Sequence, residues 1–245
     1  MTDNCIKIER LTKRYPGESK DILCGIDLTI REKDKFGILG PNGAGKTTLI
    51  SVLCGIIEAS TGHVYYWGQV QTPKVIQQKI GFVPQEYAFY GELTPMQNLE
   101  YFGAMYKLSA AEIKEKSIEI LTRLGLGDVK NKKVRAFSGG MKRRMNLAIG
   151  IIHDPAILFL DEPTVGVDVQ SKMAIMKLLE ELNQKGTTII YTSHHLDEAE
   201  EFCNHIALID HGTIIIEGNT SDLLKEHAVD LKGLLINLTG ESYRD

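Results

Sequence analysis

A glycine-rich segment that ends in lysine and threonine carries the clearest chemistry in this sequence. Residues 40–47 fit the pattern G-x-x-x-x-G-K-T, with an apolar run before them and a helical pattern after them. Glycines let backbone N–H groups turn inward around phosphates, and the N-terminal end of the following helix adds its positive dipole. The segment predicts a nucleoside triphosphate site, and its ATP-binding residues are Gly40, Pro41, Asn42, Gly43, Ala44, Gly45, Lys46, Thr47 and Thr48.

Three side chains at the end of this segment have separate predicted roles. Lys46 is expected to reach the β- and γ-phosphates, which makes it one of the predicted catalytic residues. The Thr47 hydroxyl is expected to bind Mg²⁺, and Thr48 to contact the region of the α-phosphate. A chance glycine turn is disfavoured because a strand pattern and a helix pattern flank the segment.

Two carboxylates follow an apolar run of strand length, residues 156–160. In a parallel α/β sheet, the carboxyl ends of the strands face the ligand. Asp161 is therefore predicted to bind Mg²⁺, directly or through water. Glu162 is the better candidate for polarising the attacking water, because the carboxylate of Asp161 is already expected to bind the metal. A solvated acidic turn is the alternative, but the preceding apolar run disfavours it.

The elements that must position these residues alternate between strand and helix. Apolar runs of strand length lie at 5–8, 26–30, 36–39, 187–193 and 206–210. The first two alternate with polar residues, which predicts antiparallel pairing. Helical patterns fill about 84–152, where Ser109 and Glu112 form a capping box, and resume after Asp168. The sequence predicts an α/β fold: a P-loop NTPase core with a mostly parallel sheet, an N-terminal antiparallel β subdomain and an inserted α-helical subdomain.

Length and composition indicate one ordinary soluble domain. The 245 residues are 43% hydrophobic with a net charge of −4, which argues against a broad nucleic-acid-binding surface. No apolar run reaches the roughly 18–20 residues that span a bilayer, and the start lacks a secretory signal pattern. We therefore expect a cytoplasmic chain. Its ATP-binding domain is expected over 1–220, with the helical subdomain at about 86–152, and a tail over 221–245 holds a short helix at 221–227.

A second glycine-rich helix start lies between the phosphate segment and the two carboxylates. Residues 137–141 read F-S-G-G-M, similar to the signature L-S-G-G-Q of the ATP-binding cassette (ABC) transporter family. With the other motifs, the chain resembles an ATP-binding subunit of that family over nearly its whole length. The run F-S-G-G-M-K-R-R resembles the branch of drug-resistance and sodium exporters. Met141 departs from the signature because it cannot make the hydrogen bonds of glutamine.

The resemblance implies that a second subunit completes each ATP site. Ser138, Gly139 and Gly140 would contact the ATP held by the partner's phosphate segment, and Asp168 would form a dimer contact. A serine-capped, glycine-rich helix start is an anion site by its own chemistry. The basic run 142–144 is read as a solvated or dimer-facing helix turn rather than a nucleic-acid patch, because the chain is acidic overall.

The resemblance also implies roles for three residues whose own chemistry is ambiguous. Gln85 would touch the metal and the attacking water and would couple to the membrane partner. His194 would contact the γ-phosphate as a catalytic residue, while the neighbouring His195 is read as structural or exposed. Tyr15 would stack on adenine through its ring face. Surface polar roles for Gln85 and His194, and core packing for Tyr15, are the alternatives.

By the same resemblance, the chain would hydrolyse ATP with Mg²⁺ to power a membrane transporter, with export favoured over import. Two ATP molecules would lie between head-to-tail subunits of a homo- or heterodimer. Separately encoded membrane-spanning permease subunits would convert its closure into transport, which places the chain on the cytoplasmic face of the cell membrane. The alternative is a soluble ABC-type ATPase acting on ribosomes or nucleic acid. A nucleotide sensor without turnover conflicts with the presence of Gln85, Glu162 and His194.

Overall fold

Strands and helices alternate along residues 4–240, the part of the chain that the computed structural model describes. The strands are β1 (Asn4–Lys13), β2 (Leu23–Arg31), β3 (Lys35–Leu39), β4 (Thr61–Tyr66), β5 (Gln69–Val70), β6 (Ile80–Val83), β7 (Ile157–Asp161), β8 (Thr188–Ser193), β9 (His205–Asp210) and β10 (Thr213–Asn219). The helices are α1 (Lys46–Leu53), α2 (Pro73–Ile76), α3 (Pro95–Met105), α4 (Ala110–Arg123), α5 (Gly139–Ile151), α6 (Val169–Gln184), α7 (Leu196–Phe202), α8 (Thr220–His227) and α9 (Leu231–Thr239).

These elements belong to two compact units. The described residues up to Gln77, together with those from Thr188 onward, form the first unit, and Gln78–Thr187 form the second. Within residues 4–240, no helix is both long enough and apolar enough to cross a bilayer.

The antiparallel sheet of the first unit has the strand order β2-β1-β4-β5. β1 and β2 pair antiparallel, with Ile6 opposite Ile30 and Ile8 opposite Leu28. All four side chains are almost fully buried, while polar residues alternate with them. An antiparallel sheet with one covered face has this alternating pattern. The predicted pair of early antiparallel strands is therefore confirmed.

The first unit also contains the strands β3, β8, β9 and β10. The phosphate segment follows β3, which lies between β8 and β9. β3 pairs parallel with β8 and with β9, and β9 pairs antiparallel with β10. Phe36, Ile38 and Leu39 are fully buried, which explains why β3 is continuously apolar rather than alternating. The register places Leu39 opposite Ser193. The residues that follow β3 and β8 therefore start from the same edge.

The second unit contains the strand pair β6 and β7 and most of the longer helices. β6 and β7 run parallel, and Val83 lies opposite Leu160. The capping box at Ser109 and Glu112 is confirmed: each side chain accepts a hydrogen bond from the other's backbone N–H, at 2.8 and 3.3 Å. The predicted helical content of 84–152 is wrong at its start, because residues 84–94 form neither helix nor strand.

The fold class is confirmed as an α/β P-loop core with mostly parallel strands, an N-terminal antiparallel subdomain and a helical insertion. In the predicted tail, α8 spans Thr220–His227 and α9 follows it. The end of that tail, 241–245, lies outside the described residues. The boundaries proposed for the domains stay a prediction.

Close packing between β6 and α5 depends on glycine. A Cβ added at Gly81 would overlap the carbonyl oxygen of Gly150 and lie 2.9 Å from Leu158 Cδ1. We expect Gly81→Ala to lower the free energy of unfolding by about 3 kcal/mol, since backbone cannot move aside easily. Gly127→Ala is the matched control, because its added Cβ would meet nothing nearer than 3.7 Å. Denaturant unfolding measures both, and equal stability of the two variants would contradict this packing.

Candidate functional site

The phosphate segment bends sharply between β3 and α1. A Cβ at Gly40, where φ is 156°, would overlap the carbonyl oxygen of Ile209, so only glycine fits there. Gly45 has φ 107° and caps α1 without any side-chain hydrogen bond. The first N–H groups of a helix have no partners within the helix. This helix start therefore retains the features of an anion site.

The Lys46 ammonium lies inside the bend. Its Nζ donates to the carbonyl oxygens of Gly40 at 2.7 Å and Pro41 at 2.9 Å, and the residue is only 6% exposed. The bend is held in turn by a backbone hydrogen bond from Gly212 N–H to Ala44 O, at 3.0 Å. A buried ammonium in this loop supplies positive charge beside the N-terminus of α1. This arrangement suits a phosphate group.

Tyr15 lies beside α1 with its ring partly open to solvent. Its hydroxyl oxygen is 3.4 Å from Thr48 Oγ1, and Lys13 Nζ is 5.4 Å from the ring centroid. The side chain is 38% exposed, so the alternative of core packing is wrong. Adenine stacking on this ring stays a prediction.

His194 follows β8 at the edge where β3 ends, because Ser193 and Leu39 are opposite each other in the register. The residue is half-buried, whereas His195 is exposed. The His195 N–H donates to Ser193 Oγ at 2.9 Å, and this turn leads directly into α7. Of the two histidines, His194 is the one that follows the end of β8 directly. Its contact with a γ-phosphate stays a prediction.

Asp161, a predicted metal ligand, and Glu162, predicted to polarise the attacking water, are adjacent at the end of β7. β7 ends at Asp161, and both Asp161 and Glu162 are buried. Glu162 has φ 50°, a left-handed conformation that is uncommon for a residue with a side chain and concentrates at functional sites. Gln85 Nε2 donates to Glu162 Oε2 at 3.1 Å. This bond leaves the amide oxygen of Gln85 available as a cation ligand.

The predicted metal ligands have the right chemistry for Mg²⁺. Thr47 supplies a hydroxyl oxygen, Gln85 an amide oxygen and Asp161 a carboxylate. Mg²⁺ prefers such hard oxygen donors, and at nucleotide sites it takes its other ligands from water and phosphates. The donor set therefore fits the ion.

The glycine-rich signature forms the start of α5. Ser138 is the N-cap residue, and its Oγ accepts from Met141 N–H at 3.3 Å. Ser138 and Gly139 are exposed, and a Cβ at Gly139 would meet no atom nearer than 3.8 Å. The first turn of α5 is therefore open to an anionic ligand from outside.

Gly140 is buried where α5 meets the start of α6. A Cβ there would overlap Ser171 Oγ and lie 2.5 Å from Asp168 Oδ2. Asp168 caps α6 by accepting from both the Ser171 N–H and the Ser171 hydroxyl, each at 2.8 Å. The hydrogen bond from the Ser171 backbone, followed by that from its side chain, lowers the pKa of Asp168. The exposed Asp168 is thus placed beside the signature, and its dimer contact stays a prediction.

Two residues of α5 were missed in the sequence. Arg143 is buried, so the solvated-turn interpretation is wrong for it, and its Nη1 donates to Gln85 O at 2.6 Å. The buried Asn146 amide makes three hydrogen bonds to backbone groups of residues 84–88. Their spacing of three residues makes the two side chains neighbours on the surface of α5, but the spacing does not show that this surface is buried. α5 therefore holds the segment that carries Gln85.

Comparisons with known proteins show the family to which the chain belongs. The family model described as ABC transporter matches residues 23–165. The linearmycin resistance ATP-binding protein LnrL of Bacillus subtilis (strain 168) is 42% identical over 221 residues, 89% of this chain and 70% of that protein.

Two solved structures share the fold over most of the chain. One is cbiO1 from Clostridium perfringens, part of the ABC transporter complex cbiONQ: it is 28% identical, with a TM-score of 0.82 over 96% of this chain and 95% of that chain. The other is a dimeric, post-hydrolysis state of the ATP-binding cassette MJ0796 bound to ADP and Pi. It is 27% identical, with a TM-score of 0.79 over 88% of this chain and 98% of that chain. The chain therefore belongs to the ABC transporter family, as an ATP-binding subunit similar to those of its drug-resistance branch.

Proposed function

We propose that the chain hydrolyses ATP to ADP and phosphate and that this reaction powers export through separate membrane-spanning subunits. The family supports ATP hydrolysis. The observation that carries the proposal is the buried Glu162, held in a strained conformation with the Gln85 amide 3.1 Å from its carboxylate. A general base must be fixed within hydrogen-bond reach of the water it activates. Gln85 supplies that fixed orientation.

Each predicted site residue has a separate role in hydrolysis. The backbone N–H groups of 40–48, other than that of the proline at 41, and the Lys46 ammonium hold the phosphates, and Tyr15 stacks on adenine. Glu162 polarises the attacking water, and His194 contacts the γ-phosphate. When bound, Mg²⁺ neutralises phosphate charge.

Thr47, Gln85 and Asp161 are the residues that would hold this ion.

A second subunit completes each site in this proposal. Ser138 and Gly139 form an exposed, capped helix start with no basic side chain of their own, which suits a phosphate already held by another chain's Lys46. The MJ0796 cassette is itself dimeric with ADP and Pi. ATP binding closes the dimer and hydrolysis reopens it, since ATP binds the closed state more tightly.

Ser138→Asp tests the partner's contribution without removing the cap. Aspartate and asparagine cap helices as well as serine does, so both variants keep α5. Only aspartate adds a negative charge that repels the γ-phosphate. We expect Ser138→Asp to lower kcat by about 100-fold or more, and Ser138→Asn to stay much closer to wild type. Phosphate release, measured across a dilution series of the protein, reports both. The shared site would be refuted if the wild type kept its turnover at dilutions where the protein is monomeric and if Ser138→Asp left that turnover unchanged.

Mixing two inactive variants gives the complementary result. A heterodimer of Lys46→Met and Ser138→Asp contains one site with an intact phosphate segment from one chain and an intact signature from the other. Turnover should therefore return on mixing. If both parts of a site came from the same chain, the mixture would stay inactive.

Export and the membrane position are inferred from the similarity of the chain to its relatives, so a separate experiment must test them. LnrL is named for linearmycin resistance, which favours export in this chain as well. We propose separately encoded permease subunits and a position on the cytoplasmic face of the membrane. Isolation of a stoichiometric, detergent-dependent complex with a membrane protein would support this. A ribosome or nucleic-acid complex in its place would support the alternative of a soluble ABC-type ATPase.

A further inference from the structure

The guanidinium of Arg143 lies between three segments of the second unit. It extends from the second turn of α5, and its Nη1 donates to Gln85 O at 2.6 Å. The same nitrogen is 3.5 Å from Pro84 O, and Nη2 is 3.5 Å from the carbonyl oxygen of Val165, in the loop that follows Glu162. The residue is 6% exposed. One side chain therefore links the signature helix to the Gln85 segment and to the loop after Glu162.

The chemistry of a guanidinium suits this position. Its planar fork presents N–H donors in fixed directions, whereas a lysine ammonium is a compact charge on a flexible stem. Its carbon lies 5.3 Å from the Tyr87 ring centroid, a cation–π distance.

Burying this group has a cost that simple space-filling would avoid. Burial lowers the pKa of Arg143, while the nearby Tyr87, Glu162 and Asp161 act in the opposite direction. Its Nε has no hydrogen-bond partner, and an unpaired buried donor is unfavourable. An apolar side chain would fill the same space without these penalties, so the polar contacts of Arg143 are the feature that needs a function.

We propose that Arg143 is a positioning residue for ATP hydrolysis, which fixes the backbone of Gln85 so that its amide stays aligned with the Glu162 carboxylate. This inference rests on the proposed function. The Gln85 carbonyl is held by Arg143 while the Gln85 side chain donates to Glu162 at 3.1 Å. Because both ends of Gln85 are restrained, its amide cannot drift from the carboxylate. Val165 O extends the same restraint to the loop after Glu162.

Arg143→Lys tests this role because it keeps the charge and loses the fork. We expect kcat for ATP to fall by about 10-fold, since small misplacements of a catalytic group are costly. The KM for ATP should stay within about two-fold, because Arg143 orients the hydrolytic residues only. A double-mutant cycle then decides the mechanism. In a Gln85→Ala background, which keeps the backbone carbonyl, Arg143→Lys should change kcat by less than about two-fold.

Arg144→Lys is the matched control on the same helix. Arg144 donates to Gly140 O at 3.3 Å and Leu124 O at 2.7 Å, so none of these contacts involves Gln85. Its effect on kcat should be the same with and without the Gln85 side chain. Amide hydrogen exchange of residues 85–88 in the nucleotide-free protein is a second readout. Exchange should accelerate in Arg143→Lys and stay unchanged in Arg144→Lys.

Each outcome bears on one of the two proposals. Independent, multiplicative effects of Arg143→Lys and Gln85→Ala, in a wild-type chain that hydrolyses ATP, would overturn the inference alone. A wild-type chain without turnover would overturn the proposed function and this inference with it. If Arg143→Lys does not fold, Arg143→Gln replaces it in the cycle, since glutamine keeps an amide donor for one carbonyl. The same loss of effect in the Gln85→Ala background is then expected.

Discussion

Glu162→Gln is expected to lower ATP turnover by about 100- to 10,000-fold, the range for loss of a general base. The amide has the shape of the carboxylate and still accepts the hydrogen bond from Gln85, so the buried turn is retained. It cannot take a proton from water at neutral pH. Without hydrolysis, the proposed closed dimer has no route to reopen. Phosphate release and the mass of the eluting species in saturating Mg-ATP measure the two effects.

Glu86→Gln is the control for this variant. Glu86 is exposed and follows Gln85 directly, so the change removes one negative charge from the same unit without altering the hydrogen bond between Gln85 and Glu162. We expect its turnover and elution to match those of the wild type. Monomeric elution of Glu162→Gln with saturating Mg-ATP would count strongly against the dimeric mechanism. Retained turnover would remove Glu162 from the role of base.

Lys46→Met is expected to weaken ATP binding by about 3 kcal/mol, or roughly 100-fold, through lost charged hydrogen bonds to the phosphates. Methionine fills similar volume but carries no charge. Lys46 Nζ otherwise lies within the bend, on the Gly40 and Pro41 carbonyls. Titration with a fluorescent ATP analogue measures the affinity, and thermal melting shows whether the loop remains folded.

Lys20→Met separates the local effect from a change in net charge. Lys20 is exposed in the same unit, so its loss should leave ATP affinity unchanged. If Lys46→Met binds ATP as tightly as Lys20→Met does, the phosphate interpretation of residues 40–48 is wrong. A loss confined to Lys46→Met would support it.

Features within a few residues of each other were predictable from the sequence. The capping box at Ser109 and Glu112 depends on side chains that reach backbone groups three residues away, so its pattern is local. A second capping box, at Thr94 and Gln97, has the same form and was overlooked. It begins α3 and explains why the helix starts at Pro95 rather than earlier. The alternation of β1 and β2 was equally local, because successive side chains of a strand face opposite ways.

Contacts across the chain were not predictable from the pattern of single segments. Arg143 is 58 residues from the Gln85 carbonyl that it binds. Its charge and its place in a basic run suggested solvent exposure, and only the packing of α5 against the segment after β6 reversed that expectation. Asn146 was hidden for the same reason. Nothing within a few residues of either side chain shows that it is buried.

The amino-acid sequence by itself determined the phosphate segment, the two carboxylates Asp161 and Glu162, and the signature. Each of these is a local feature, a turn of glycines, an apolar strand end or a helix cap, and is therefore set by neighbouring residues. Tertiary structure decided which of these groups meet. The parallel pairing of β6 with β7 brings Gln85 to Glu162, and the glycine at 140 allows α6 to approach with Asp168. These contacts depend on strand register and on the space between packed backbones. Both are set only when segments that are distant in the sequence pack together.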